Sequence, residues 1–380
     1  MKEKKGIFIK ILRMGLGLAA GIGIGFLMGL FLGSYLDKKE SLGQTLMTLG
    51  IMLLSFYIGM LFQIVVHESG HLVFGLATGY RFSSFRIGSF MWLREDGRLR
   101  LKRQSIAGTG GQCLMSPPEL VDGRIPVVLY NLGGSLMNLI VSALLLLLFF
   151  VLGEGSLFGM FCAVTAASGV MFALLNGIPM RMGTIDNDGY NALSLGKNKG
   201  AMGAFWLQMK VNERLTQGMR LRDMPEEWFK VPSDEAMENS MVSAVGVIVC
   251  NRLMDQKRFD EADTLMGHLL EIKSGMVDLH RNLVIGDRIY CELIGQNRRE
   301  AVDAMYTDSL KKFMKSMKDF PSVLRTQYAY ALLAERDPQK AERYLASFEK
   351  IAQSYPYASD IASERELMDT AKETFNTIQP

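Results

Sequence analysis

Between Ile64 and Leu76 an apolar run is broken by the pentapeptide His67-Glu68-Ser69-Gly70-His71. Residues four apart on a helix stand one above the other, so His67 and His71 can offer two imidazoles to one metal ion while Glu68 stays beside it. That pairing is the ligand half of a zinc hydrolase, with Glu68 placed to act as general base. The chain holds four histidines, and two of them stand here. The setting is apolar: from Gly50 to Val66 the polar side chains are those of Ser55, Tyr57 and Gln63. Ionisable groups at membrane depth are costly and by default mark function.

A catalytic zinc site takes three protein ligands and leaves a fourth position to water. The pattern with a third histidine six residues beyond the second meets Ala77, and Glu95 reads as a turn acid between Arg94 and Asp96. At this point the chain resembles the site-2 protease family of intramembrane zinc metalloproteases. The family pairs the His-Glu-x-x-His motif with Asn-x-x-Pro and a following Asp-Gly at another helix end, and here those are Asn176-Gly177-Ile178-Pro179 and Asp188-Gly189. The resemblance implies that His67, His71 and Asp188 hold Zn2+ and that Glu68 is the base. Asp186 is a second acid close enough to take the ligand's place, and the Gly189 that follows Asp188 favours the latter. A further family feature, Gly-Pro-x-x-Asn, reads Gly134-Ser135-Leu136-Met137-Asn138 with Ser for Pro, which implies that Asn138 helps hold a substrate strand. Asn131 lies two helical turns before Asn138 on the same face, where it would contact substrate or bond a neighbouring helix. Gly110 and Gly111, with a hairpin beginning at Tyr80, are expected to pair with an unwound substrate by strand addition.

These residues need membrane-embedded elements to position them. The expected fold is mainly α: a polytopic membrane protein with four transmembrane helices and a small β-hairpin, followed by a soluble α-helical repeat domain. The expected spans are residues 14–36, 45–78, 125–152 and 157–175, each near or above the ~20 residues that cross a bilayer. The divisions that follow are 1–43, an N-terminal helix; 44–200, the metalloprotease core; 201–232, an amphipathic linker; and 233–380, a cytoplasmic helical-repeat domain. Gly17, Gly21, Gly25, Gly29 and Gly33 form a stripe along the first span, where the core or a second copy of the chain can approach closely, as in a homo-oligomer. Two alternating runs around Glu95-Asp96-Gly97 predict the hairpin. Residues 106–123, with Gly108, Gly110, Gly111 and Pro117-Pro118, read as loop.

The loop carrying Arg81, Arg86, Arg94, Arg98, Arg100, Lys102 and Arg103 should face the cytoplasm with both termini, in a protein of the bacterial plasma membrane. Residues 204–219 read as an amphipathic helix on the membrane surface or packed on the next domain. Beyond Ser233 a turn feature recurs as Arg258-Phe259-Asp260-Glu261-Ala262, Arg298-Arg299-Glu300-Ala301 and Pro338-Gln339-Lys340-Ala341, at a period that predicts stacked helical hairpins resembling a tetratricopeptide array. Such an array is expected to recruit a cytoplasmic protein partner. A net charge of +3 without a dominant basic cluster excludes nucleic acid as partner. Cys113, Cys162, Cys250 and Cys291 are too dispersed for a disulfide framework or a cysteine zinc site.

The function expected from the sequence is intramembrane zinc endoproteolysis of transmembrane or membrane-inserted proteins: membrane-bound regulators, signal-peptide remnants or secreted-peptide precursors. The alternative from another class is a catalytically inactive membrane scaffold that recruits its partner through the helical repeats. An intact Glu68 argues against the scaffold, because binding needs no base.

Overall fold

The computed structural model describes residues 41–95, 97–104, 109–152, 156–182 and 185–378. The expected first span, its glycine stripe and any oligomer contact through them lie outside the described residues. The chain divides into two compact units, one of residues 1–88, 108–118 and 126–197 and the other of 89–107, 119–125 and 198–380.

The first unit is built on three helices long and apolar enough to cross a membrane: α1 (Leu42–Ala77), α2 (Val127–Leu152) and α3 (Leu157–Gly177). Ser41 starts α1 with a capping box, its hydroxyl accepting from Gln44 N while the Gln44 side chain accepts from Ser41 N. Outer faces carry exposed Leu53, Leu61, Leu144, Leu147 and Phe150, as lipid-facing helices do. Between helices that share an apolar solvent, close approach depends on small residues. A Cβ at Gly70 would lie 2.2 Å from Gly133 O, and one at Gly133 would lie 2.6 Å from Gly70 O, so α1 and α2 meet backbone to backbone.

Strands β1 (Arg81–Ile87) and β4 (Gly111–Ser116) pair antiparallel in this unit, with an irregularity between Phe82 and Ser84. The sequence reading of 106–123 as loop missed β4. Its buried Cys113 and Met115 alternate as a strand's inner face should, but the preceding glycines conceal the period. After α3, the short pair β5 (Arg181–Met182) and β6 (Ile185–Asp186) leads into α4 (Asp188–Ser194).

The second unit contains a hairpin of β2 (Phe90–Glu95) and β3 (Arg98–Arg103), turning at Gly97 with φ +74°; the first arm expected to run on from Tyr80 is instead divided into β1 and β2. Its helices are α5 (Lys199–Thr216), α6 (Ser240–Asp255), α7 (Phe259–Glu271), α8 (Asp278–Ile294), α9 (Arg299–Met305), α10 (Asp308–Ser316), α11 (Pro321–Ala329, extended by a wider turn through Ala334), α12 (Pro338–Ala352) and α13 (Ala358–Ile378). In α5, Ala204, Leu207, Met209 and Val211 are buried. The three matching turns of the sequence each begin a helix, α7, α9 or α12, and each is preceded by a non-glycine residue in the left-handed region, Lys257, Asn297 or Arg336.

Candidate metal centre

His67 and His71 sit one turn apart on α1, and Asp188 opens α4. His67 Nε2 is 3.2 Å from His71 Nε2, and Asp188 Oδ2 is 3.1 Å from the first and 3.3 Å from the second. Among the described residues this is the one group of three His, Cys, Asp or Glu side chains whose donor atoms converge closely enough to hold a metal ion. Asp186, the other acid weighed from sequence, lies outside that group.

The far side of each ring fixes its tautomer. His67 Nδ1 donates to Asn138 Oδ1 at 2.7 Å, and His71 Nδ1 donates to the Tyr130 carbonyl at 2.7 Å. In the neutral rings that a metal binds, both Nε2 atoms then present lone pairs to the same point as a carboxylate oxygen. Three electron pairs facing one another at this range repel unless a cation stands between them. Three donors ~2.0–2.1 Å from one tetrahedral zinc would lie ~3.3 Å apart, so the donor set fits that ion in type and spacing.

Several contacts hold the donors in place. Asn138 is fully buried, and its Nδ2 donates to Gln63 O at 3.0 Å and Gln63 Oε1 at 2.7 Å, which fixes which face of the amide His67 meets. Gln63 Nε2 donates in turn to Thr165 O on α3 at 3.0 Å. The structure places the Asn138 side chain against His67 and Gln63. Asn131 donates to Val127 O of its own helix at 2.8 Å. Asn187, just before Asp188, caps α4 by accepting from Tyr190 N, and its Nδ2 donates to Leu175 O and Ile178 O at the end of α3. Gly189 completes the junction, because a Cβ there would stand 2.1 Å from Gly177 O.

Glu68 is buried beside the donor group, and among the described residues its carboxylate has no hydrogen-bond partner. Gly111 at the start of β4 lies against it: a Cβ there would come within 2.6 Å of Glu68 Cγ and 2.8 Å of Oε1. A Cβ at Gly110 would lie 2.8 Å from Ile64 Cδ1. Arg86 escaped the sequence reading, which counted it as loop charge. It is 1 % exposed and donates to Gly88 O, to Thr109 Oγ1 and, at 3.3 Å, to Gly111 O, holding the start of β4 where it passes Glu68. Gln63 and Tyr130 were missed as well. An isolated polar residue in an apolar span was a signal for Gln63, whereas the Tyr130 contribution is a backbone carbonyl that no side-chain pattern reports.

A buried histidine pair, a carboxylate donor and an unpartnered glutamate thus form a candidate metal centre in a unit built on three helices long and apolar enough to cross a membrane. The model of Peptidase family M50 matches residues 55–361 of this chain, well over half of its length, and the chain belongs to that family of zinc metalloproteases of site-2 type. No curated protein and no solved structure matches it.

Proposed function

We propose that the chain is an intramembrane zinc metalloendopeptidase that cuts peptide bonds in or near transmembrane segments of membrane-inserted proteins. The observation that carries this reading is the convergence of two imidazole lone pairs and one carboxylate oxygen within 3.3 Å beside an unpartnered Glu68. His67 Nε2, His71 Nε2 and Asp188 Oδ2 would hold the zinc. When bound, zinc supplies Lewis acidity that makes water a nucleophile near neutral pH and polarises a peptide carbonyl.

Glu68 takes the proton of the attacking water on its carboxylate and returns it to the leaving amide nitrogen. Asn138 and the Tyr130 carbonyl hold the imidazoles with Nε2 aimed at the metal position. A transmembrane helix must first unwind, since its backbone groups are bonded to one another. Among the described residues β4 pairs on one side alone, with β1, so its other edge supports the proposal of substrate strand addition beginning at Gly110 and Gly111.

The basic loop residues support a cytoplasmic placement of the segment between α1 and α2. The left-handed turns at Lys257, Asn297 and Arg336, spaced by 40 and 39 residues, support helical hairpins in series, a tetratricopeptide-like surface for a cytoplasmic protein partner. The scaffold reading gives no role to a buried, unpaired Glu68.

The test is the Glu68→Gln protein, purified with its zinc content measured and reconstituted with a labelled membrane-inserted helical peptide. Zinc should stay near one per chain while turnover falls by about 10²–10⁴-fold. Unchanged turnover with zinc retained would end the assignment.

A further inference from the structure

The helical unit holds a cleft of about 400 Å3, open to solvent and lined from α5, α6, α8, α11 and α13, which the metal chemistry does not use. Its size lies within the ~300–1,000 Å3 of small-molecule sites. Four carboxylates line it, those of Asp255, Asp287, Asp360 and Glu364, against the guanidinium groups of Arg220 and Arg325. Neither guanidinium is free to neutralise the excess. Arg325, 1 % exposed, is divided between Asp287 at 2.6 Å and Glu364 at 2.9 Å. Arg220 is divided between Asp255 at 2.5 Å and Glu366, an acid outside the lining. His280 adds no cation, because burial holds its imidazole below the ordinary value.

Asp360 is the carboxyl left over. Among the described residues it has no hydrogen-bond or ion-pair partner, and the charged groups acting on it most strongly are acids, Glu364 on its own helix and Asp255 from α6. A desolvated, unpaired carboxylate is costly unless a partner arrives. The rest of the lining is largely apolar, with Val211, Leu215, Val247, Ile248, Leu283 and Phe320. A negative charge excess beside an apolar wall discriminates against anions and against fully hydrated ions. The cavity is also larger than a bare divalent ion requires, and three of its acids are already held by arginines.

We propose that this cavity binds an organic cation, an amine or guanidine on a short apolar stem, whose charged head pairs with Asp360 while the stem packs on the Val247 and Leu283 side chains. The head group could belong to a free amine or to a lysine or arginine side chain of a peptide, and the chemistry at Asp360 is the same. Occupancy would stabilise the packing of α6, α8 and α13 around it, giving this unit a ligand-dependent stability.

The test is calorimetric titration of the full-length protein in a non-ionic detergent with putrescine, with acetyl-lysine methylamide, and with glutarate as the anionic control. One or both amines should bind saturably, one per chain, and raise the thermal midpoint. Glutarate should do neither. Binding by putrescine alone assigns a free amine, and by the lysine derivative alone a basic side chain. Asp360→Asn, which removes an unpaired, partly buried charge and should fold at least as stably, should weaken binding about 10- to 100-fold, the worth of a charged hydrogen bond. Val247→Phe, which fills the space and keeps every charge, should also abolish it. Failure of both amines to bind the unaltered protein, equal binding of glutarate, or amine binding that survives either variant overturns the proposal.

Discussion

Asn138 Oδ1 accepts the Nδ1 hydrogen of His67 at 2.7 Å, and this one contact sets which nitrogen of the histidine faces Asp188. The amide cannot turn around, because both of its N–H groups are bound to Gln63. An asparagine on α2 thereby controls the chemistry of a histidine on α1.

Asn138→Leu should therefore lower zinc affinity by about 10- to 100-fold, as loss of an orienting partner does. Competition with a zinc-binding dye measures it. Asn138→Asp keeps the acceptor and should recover part of the affinity, a rescue that a merely structural role would not give.

Asp188→Ala should remove the third donor and with it the stoichiometric zinc, whereas Asp186→Ala should keep it, since Asp186 lies outside the converging group. Elemental analysis of the two purified proteins separates them. Treatment of the unaltered protein with a strong chelator should abolish cleavage, and added zinc should restore it.

Gly70→Ala brings a Cβ to 2.2 Å from a backbone oxygen that cannot rotate away. Overpacking of this kind costs about 1–3 kcal/mol. The thermal midpoint in detergent should fall accordingly, while Gly50→Ala on the same helix, with open space around it, should leave it unchanged.

Gly111→Ala crowds the Glu68 side chain rather than the backbone, with the new Cβ 2.6 Å from Glu68 Cγ. Zinc content should stay normal while turnover drops. A variant that lost both would point to a structural role for this glycine.

The pH dependence of stability has a defined sign in the helical unit. Burial, with the charges of Glu364 and Asp255, pushes the Asp360 carboxyl up to about 7 from an ordinary 3.8. The folded state then holds a proton that the unfolded chain has released between these values. By linkage, Asp360 makes stability fall as pH rises from about 4 to 7. Denaturant titrations across that window should show the decline, and Asp360→Asn should flatten it.

Much of this was legible in the chain. The histidine spacing, the three later hydrophobic spans and the turn at Gly97 are local patterns, and each fell within a few residues of where the structure has it. The limits of α1 and α3 differ from expectation by three residues or fewer. What stayed hidden depends on contacts between distant segments. Strand β4 exists because it pairs with β1 and rests on α1, and its glycine-rich entry looks like loop until Glu68 and Ile64 are seen pressed against it. Arg86 resembles any other basic residue of its loop until its three acceptors are known. The tautomer of His71 rests on a main-chain oxygen, to which side-chain identity contributes nothing.

The contact of Gly189 with the Gly177 carbonyl ties the acidic donor to the exit of a lipid-facing helix. With no side chain between them there is no slack, and Asn187 bonds two carbonyls of the same helix end. Any tilt or fraying of α3 as a guest helix arrives would drag the carboxylate relative to the two imidazoles. The protease thus carries a mechanical link by which the state of its lipid boundary reaches the reacting centre.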